Sequence, residues 1–219
     1  TNASALFTVS PAASSVTVEA INITYLENET ITVTVPITNA TGNVTIKING
    51  TVVDERTVSG DNPSYTINVP DLAVGEYNVT VEYSGDNNYN SETAKANFTV
   101  NKIDTPVKVD TENITYGDDE TINVSVNDDA TGDVTITIYK DGVPVYEETL
   151  PVDEATAKFT VPELNAGKYT VKVAYSGDNN YNPNTAEVKF EVAKANATVE
   201  IHVYDIIYGE IEELTVTCN

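Results

Sequence analysis

Five aspartates carry the most chemical potential in this chain. Carboxylates are hard oxygen ligands, and Ca²⁺ gathers about six to eight oxygens around itself. Asp104, Asp128, Asp129, Asp133 and Asp178 fall in loops that the strand pattern described below brings to one end of the second of two repeats, beside its junction with the first. They are the candidate ligands for Ca²⁺ at that junction. Solvated acidic turns are the other reading, because the first repeat has Asn39 and Asn43 in the corresponding loop and no EF-hand spacing occurs. Catalytic chemistry finds less support. A hydrolase needs a base beside its nucleophile, and His202, the one imidazole, stands on an outward strand position. No acid–base pair singles itself out among 34 acidic residues. Cys218 has no partner for a disulfide or a metal site. An internal isopeptide bond needs a buried lysine, yet Lys47, Lys108, Lys172 and Lys189 all alternate outward. The residues specify no enzyme.

Asparagine offers a second chemistry. Asn-x-Ser/Thr sequons occur at Asn2, Asn22, Asn28, Asn39, Asn43, Asn49, Asn78, Asn97, Asn113, Asn123 and Asn196. These eleven exceed the roughly four or five that this composition produces by chance. Thr-rich strands and Asn-rich turns generate some of them. All eleven are candidate sites of N-linked glycans, which would cover outward strand faces and block edge pairing.

What must position these groups is a repeat. Tyr-Ser-Gly-Asp-Asn-Asn-Tyr-Asn occurs at Tyr83 to Asn90 and again, unchanged, at Tyr175 to Asn182. Val69 to Tyr77 matches Val161 to Tyr169 at the same spacing, and Thr24-Tyr25 matches Thr115-Tyr116 and then Ile207-Tyr208. The unit is about 92 residues long. Residues 11–101 and 102–194 form two complete modules. Leu6 to Val9 matches the closing segments at Phe98 and Phe190, so residues 1–10 read as the last strand of a preceding module. Residues 195–219 read as the first strands of a following, truncated one. With no Met anywhere, the chain is expected to be a slice of a longer array; terminal strands that exchange with another subunit are the alternative.

Within each module the apolar period is two, the signature of strands with one buried face. Ile31, Val33 and Val35 alternate with threonines, as do Val134, Ile136 and Ile138. The spacing predicts strands near 107–111, 120–127, 133–140, 143–150, 157–161, 168–175 and 185–193 in the second module. Asn49-Gly50 and Asp141-Gly142 are the dipeptides that accept a type I′ hairpin turn. Seven short strands in about 90 residues read as a Greek-key sandwich. Leu72, Gly75 and Tyr77, repeated as Leu164, Gly167 and Tyr169, stand just before the longest strand. A tyrosine there can return its hydroxyl to an upstream backbone group and pin the corner where the chain changes sheets.

The run Gly-x-Tyr-x-Val-x-Val/Ala-x-Tyr-Ser-Gly-Asp-x-x-Tyr, at Gly75 to Tyr89 and Gly167 to Tyr181, resembles the bacterial Ig-like domains of group 3. Its loop residues are Tyr83, Gly85, Asp86 and Tyr89, then Tyr175, Gly177, Asp178 and Tyr181. The resemblance implies an all-β chain of tandem immunoglobulin-like sandwiches without disulfides, from a repetitive adhesin-like protein of the cell surface. The loop could present its aromatic and amide groups to a sugar, or serve only as a turn.

Composition narrows the partners. A formal charge of −23 lacks the clustered Lys/Arg that phosphate-backbone binding requires. No apolar run approaches the ~20 residues that span a bilayer. The expected partners are neighbouring modules of the same chain, a second copy through terminal strands, or a glycan or protein on a cell surface. The expected function is a non-enzymatic stalk or spacer of an extracellular protein. The alternatives are a self-assembling filament subunit joined by strand exchange, and a carbohydrate- or protein-binding adhesin module. The linkers near 101–105 and 193–196 lack Gly/Ser tracts, which points to a semi-rigid array.

Overall fold

A computed structural model describes residues 4–209, 211 and 214–218. Asn2 lies outside the described residues. The chain divides into two compact units, Thr1–Asp104 with Asn179–Asn182, and Thr105–Asp178 with Pro183–Asn219.

Among its described residues the first unit contains eight strands: β1 (Thr17–Glu19), β2 (Ile23–Thr24), β3 (Glu29–Thr34), β4 (Asn43–Ile48), β5 (Thr51–Thr57), β6 (Ser64–Val69), β7 (Gly75–Tyr83) and β8 (Glu92–Asn101). They form a three-stranded sheet, β1-β3-β6, and a five-stranded sheet, β2-β8-β7-β4-β5. Alternation builds the core between them. Ile31 and Val33 point inward from β3, and Val44, Ile46, Val79, Val81, Phe98 and Val100 from β4, β7 and β8; all are buried. Each fully buried aliphatic side chain contributes about 1.5–3 kcal/mol.

The second unit repeats this plan with β9 (Lys108–Asp110), β10 (Ile114–Thr115), β11 (Glu120–Ser125), β12 (Asp133–Lys140), β13 (Val143–Pro151), β14 (Thr156–Val161), β15 (Gly167–Tyr175) and β16 (Asn184–Ala193). Its sheets are β14-β11-β9 and β10-β16-β15-β12-β13. The hairpin turns have positive φ at both central residues, 49° and 85° at Asn49-Gly50 and 52° and 80° at Asp141-Gly142. This geometry matches the twist of the flanking strands.

Two features differ from the alternation read in the sequence. The opening segment is two strands, not one. β9 pairs antiparallel with β11, and the chain then crosses to the other sheet, where β10 pairs parallel with β16. β1 and β2 do the same in the first unit. The strands β5 and β13 are exposed along almost their whole length. Each is the edge of a five-stranded sheet whose partner sheet has three strands.

The described residues 4–10 form no strand, and Leu6, Phe7 and Val9 are exposed. Near the other end, β17 (Val199–His202) and β18 (Thr215–Cys218) pair antiparallel, with Glu200 opposite Thr217 and His202 opposite Thr215. Lys108 opposite Ser125 and Asp110 opposite Asn123 give the same pairing 92 residues earlier. β17 and β18 thus reproduce the β9–β11 register.

Candidate functional site

The conspicuous loops close on their own scaffold. Gly85, at φ 72°, turns the chain after β7 where a Cβ would lie 2.7 Å from both Tyr89 O and Ser91 N. Asp86 follows it. Its Oδ1 accepts the backbone N–H groups of Asn88 at 2.7 Å and Tyr89 at 2.8 Å. Its Oδ2 accepts the N–H of Thr41 at 2.9 Å and the Thr41 hydroxyl at 2.8 Å. These donors, the Asn88 N–H foremost and then the Thr41 hydroxyl, lower the Asp86 carboxyl to about 2. Tyr83 is buried and donates its hydroxyl to Thr41 O at 2.8 Å; burial, and then the nearby Asp86 charge, push its phenol up. Tyr89 donates to Thr38 O at 3.1 Å.

The second repeat builds the same network. Asp178 Oδ2 accepts from Thr131 N at 2.7 Å and from its hydroxyl at 3.0 Å, while Tyr175 donates to Thr131 O at 2.6 Å. Gly177 is the turn glycine, at φ 73°. The Asp133 N–H bonds Ser176 Oγ at 3.0 Å. Tyr181 is buried, and its bridge to Ile103 repeats that of Tyr89 to Ala12. Asp104 accepts from Asn182 Nδ2 at 2.8 Å, and Asp128 and Asp129 are exposed beside the turn that closes from Ala130 N to Asn127 O. Among the described residues no three His, Cys, Asp or Glu side chains gather as a group able to hold a metal ion, so the five aspartates form no such cluster.

The corner residues also meet. Tyr77 donates its hydroxyl to Ala73 O at 2.8 Å and Tyr169 to Asn165 O at 2.6 Å. Their rings stack on Phe98 and Phe190 at 5.1 Å in both cases. Leu164 is buried and Leu72 packs against the core at its rim. Gly75 and Gly167 open β7 and β15 directly after these corners.

The ten described sequon asparagines, Asn22, Asn28, Asn39, Asn43, Asn49, Asn78, Asn97, Asn113, Asn123 and Asn196, are all exposed. Asn78 and Asn97 are direct partners across β7 and β8. His202 is exposed, with Nε2 3.6 Å from Glu200 Oε2. Cys218 is a free, exposed thiol.

Two buried carboxyls escaped the reading of the sequence. Glu29 Oε1 accepts the N–H of Ile21 at 2.9 Å, and Glu120 Oε1 that of Glu112 at 3.1 Å. Both glutamates are almost fully buried at the crossover between the sheets, and each leaves its Oε2 without a partner. Burial, above all, raises the Glu120 carboxyl. The signal was present: Glu-Thr-Ile opens the second long strand of both modules.

A model described as bacterial Ig-like domain (group 3) matches residues 8–101 and again 107–193. The chain belongs to this family. No curated protein matches it. Among solved structures, the fibronectin(III)-like modules of Clostridium thermocellum CbhA align at 15% identity and TM-score 0.32, over 81% of this chain and 94% of theirs. Red sea bream transglutaminase aligns at 11% identity and TM-score 0.39, over 83% of this chain and 31% of its own. A putative membrane anchored protein from Corynebacterium diphtheriae aligns at 14% and 0.34, over 81% and 58%. No helix among the described residues of the two Ig-like modules is long and apolar enough to cross a membrane.

Proposed function

We propose that the chain is a non-enzymatic stalk or spacer segment of an extracellular, adhesin-like surface protein. One observation carries this reading. In both Ig-like modules the carboxylate of the most conspicuous loop bonds to its own scaffold, Asp86 to Thr41 and Asp178 to Thr131. A side chain already saturated by its own scaffold holds the scaffold and has little left for a substrate. The exposed sequons support a glycan coat over the outward faces. The charge of −23 keeps a repetitive β protein soluble and its edges apart.

Single-molecule pulling tests the mechanical role. Two cooperative unfolding events are expected, each releasing about 30 nm of chain, the extended length of one module. Gradual extension without such events overturns the reading. Antibody labelling of intact source cells tests the location, and cells that label only after permeabilisation count against a surface protein.

A further inference from the structure

The outer face of the second module's five-stranded sheet differs from that of the first. Strand register sets Tyr139 opposite Thr170 and Thr170 opposite Lys189, in one row across β12, β15 and β16. Tyr139 lines two hollows. One, of about 520 Å³, also holds Lys168, Lys189 and Asn113. The other, of about 600 Å³, holds Thr137, Lys172 and Glu187. Both are open depressions on the sheet face with room for a sugar ring to rest against, not enclosed cavities. Lys172 Nζ stands 5.4 Å from the Tyr139 ring centroid and 3.7 Å from Glu187 Oε2, which steadies the ring. Asn113 Oδ1 accepts the Glu191 N–H at 2.8 Å; Asn113 is also a sequon, so its Nδ2 is a donor to a ligand only where that site carries no glycan. Lys168 and Lys189 make no ion pair among the described residues.

The charges here are balanced. Lys168 faces Glu191 and Lys172 faces Glu187 across the strands, and Asp141 borders the first hollow. In a chain of −23 this face favours neither cation nor anion. It offers an aromatic ring, ammonium and amide donors, and hydroxyl and carboxylate acceptors. A neutral pyranose presents the complement: an apolar C–H face ringed by hydroxyls that both donate and accept. We propose that this face of the second module binds a neutral oligosaccharide, with Tyr139 as the platform shared by adjoining sugar units. The first module lacks the platform. In the row where sequons Asn78 and Asn97 replace Thr170 and Lys189, the place of Tyr139 falls to Asn49 of the hairpin turn, whose N–H bonds Asn78 O at 2.9 Å, and Lys47 sits opposite Thr80. The proposal goes beyond the stalk reading and stands or falls separately from it.

The test is an NMR titration of the full, unglycosylated chain with cellotetraose, mannotriose, chitotriose and, as a charged comparator, tri-galacturonate. At least one neutral sugar is expected to shift the Tyr139, Thr170 and Lys189 amides saturably, with a millimolar-range Kd. Tyr139→Asn, which installs the first module's residue type at that place in the row, should weaken that binding about tenfold. Lys189→Ala, at an exposed position, should weaken it without altering the fold. No saturable shift from any neutral sugar at about 10 mM overturns the proposal. So does binding by the galacturonate alone, or binding that survives both substitutions.

Discussion

The carboxylate of Asp86 holds Thr41 by both its backbone N–H, at 2.9 Å, and its hydroxyl, at 2.8 Å, across 45 residues of chain. The pair ties the loop after β7 to the loop before β4. Because those hydrogen bonds lower the Asp86 pKa from 3.8 to about 2, the folded state favours the ionised form. Stability from this group is present above the unfolded value near 3.8 and is lost as pH falls through about 2. Asp86→Asn should therefore destabilise the first module near neutral pH, with the difference from wild type shrinking across that acid window. Acid titrations of both proteins followed by circular dichroism check this; a difference that does not change with pH contradicts it.

Glu120 works with the opposite sign. Its folded pKa is raised, so its stability contribution is full below the unfolded value and is lost as pH climbs through the folded value. Glu120→Gln keeps an acceptor for the Glu112 N–H and removes the ionisation. The variant should melt above wild type near neutral pH and alongside it in acid. Glu120→Ala orphans that N–H and should cost about 1–3 kcal/mol. Calorimetry at the two pH values separates the cases.

The tyrosine corners predict a modest, local loss. Tyr169→Phe keeps the ring stacked on Phe190 and removes the 2.6 Å hydrogen bond to Asn165 O. About 1 kcal/mol is expected, and a similar loss for Tyr77→Phe. Urea unfolding with an unchanged m-value is the measurement.

Gly132 should tolerate nothing larger. Its φ is +90°, and a Cβ there would stand 2.5 Å from Gly177 O and 2.9 Å from Ser176 Oγ. Gly132→Ala combines backbone strain with a collision against the loop that Asp178 closes, for about 2–4 kcal/mol. Thermal denaturation of the variant measures it.

Much of this fold was legible before any coordinates. Side chains alternate across a strand, so Val134, Ile136 and Ile138 announce their inward face directly. Asn49-Gly50 and Asp141-Gly142 name their turns because few other residues accept two positive φ angles in succession. The loop network was less legible. Thr41-Gly42 recurs as Thr131-Gly132, just as the Ser-Gly-Asp motif recurs, but neither names the other as its partner. The aspartates show that gap: the strand pattern gathers their loops at one end of the module, and only the fold shows that Asp178 accepts from Thr131 and Asp104 from Asn182.

By itself, then, the sequence determined the strand period, the two complete modules and their family, because these depend on neighbours a few residues apart and on repetition at a set interval. Tertiary structure alone decided which distant groups meet. It split the opening strand between two sheets at the buried Glu29 and Glu120, left β5 and β13 exposed, and aligned Tyr139 with Thr170 and Lys189. Such contacts follow from how two sheets of unequal width pack and register, and no local pattern of residues encodes that.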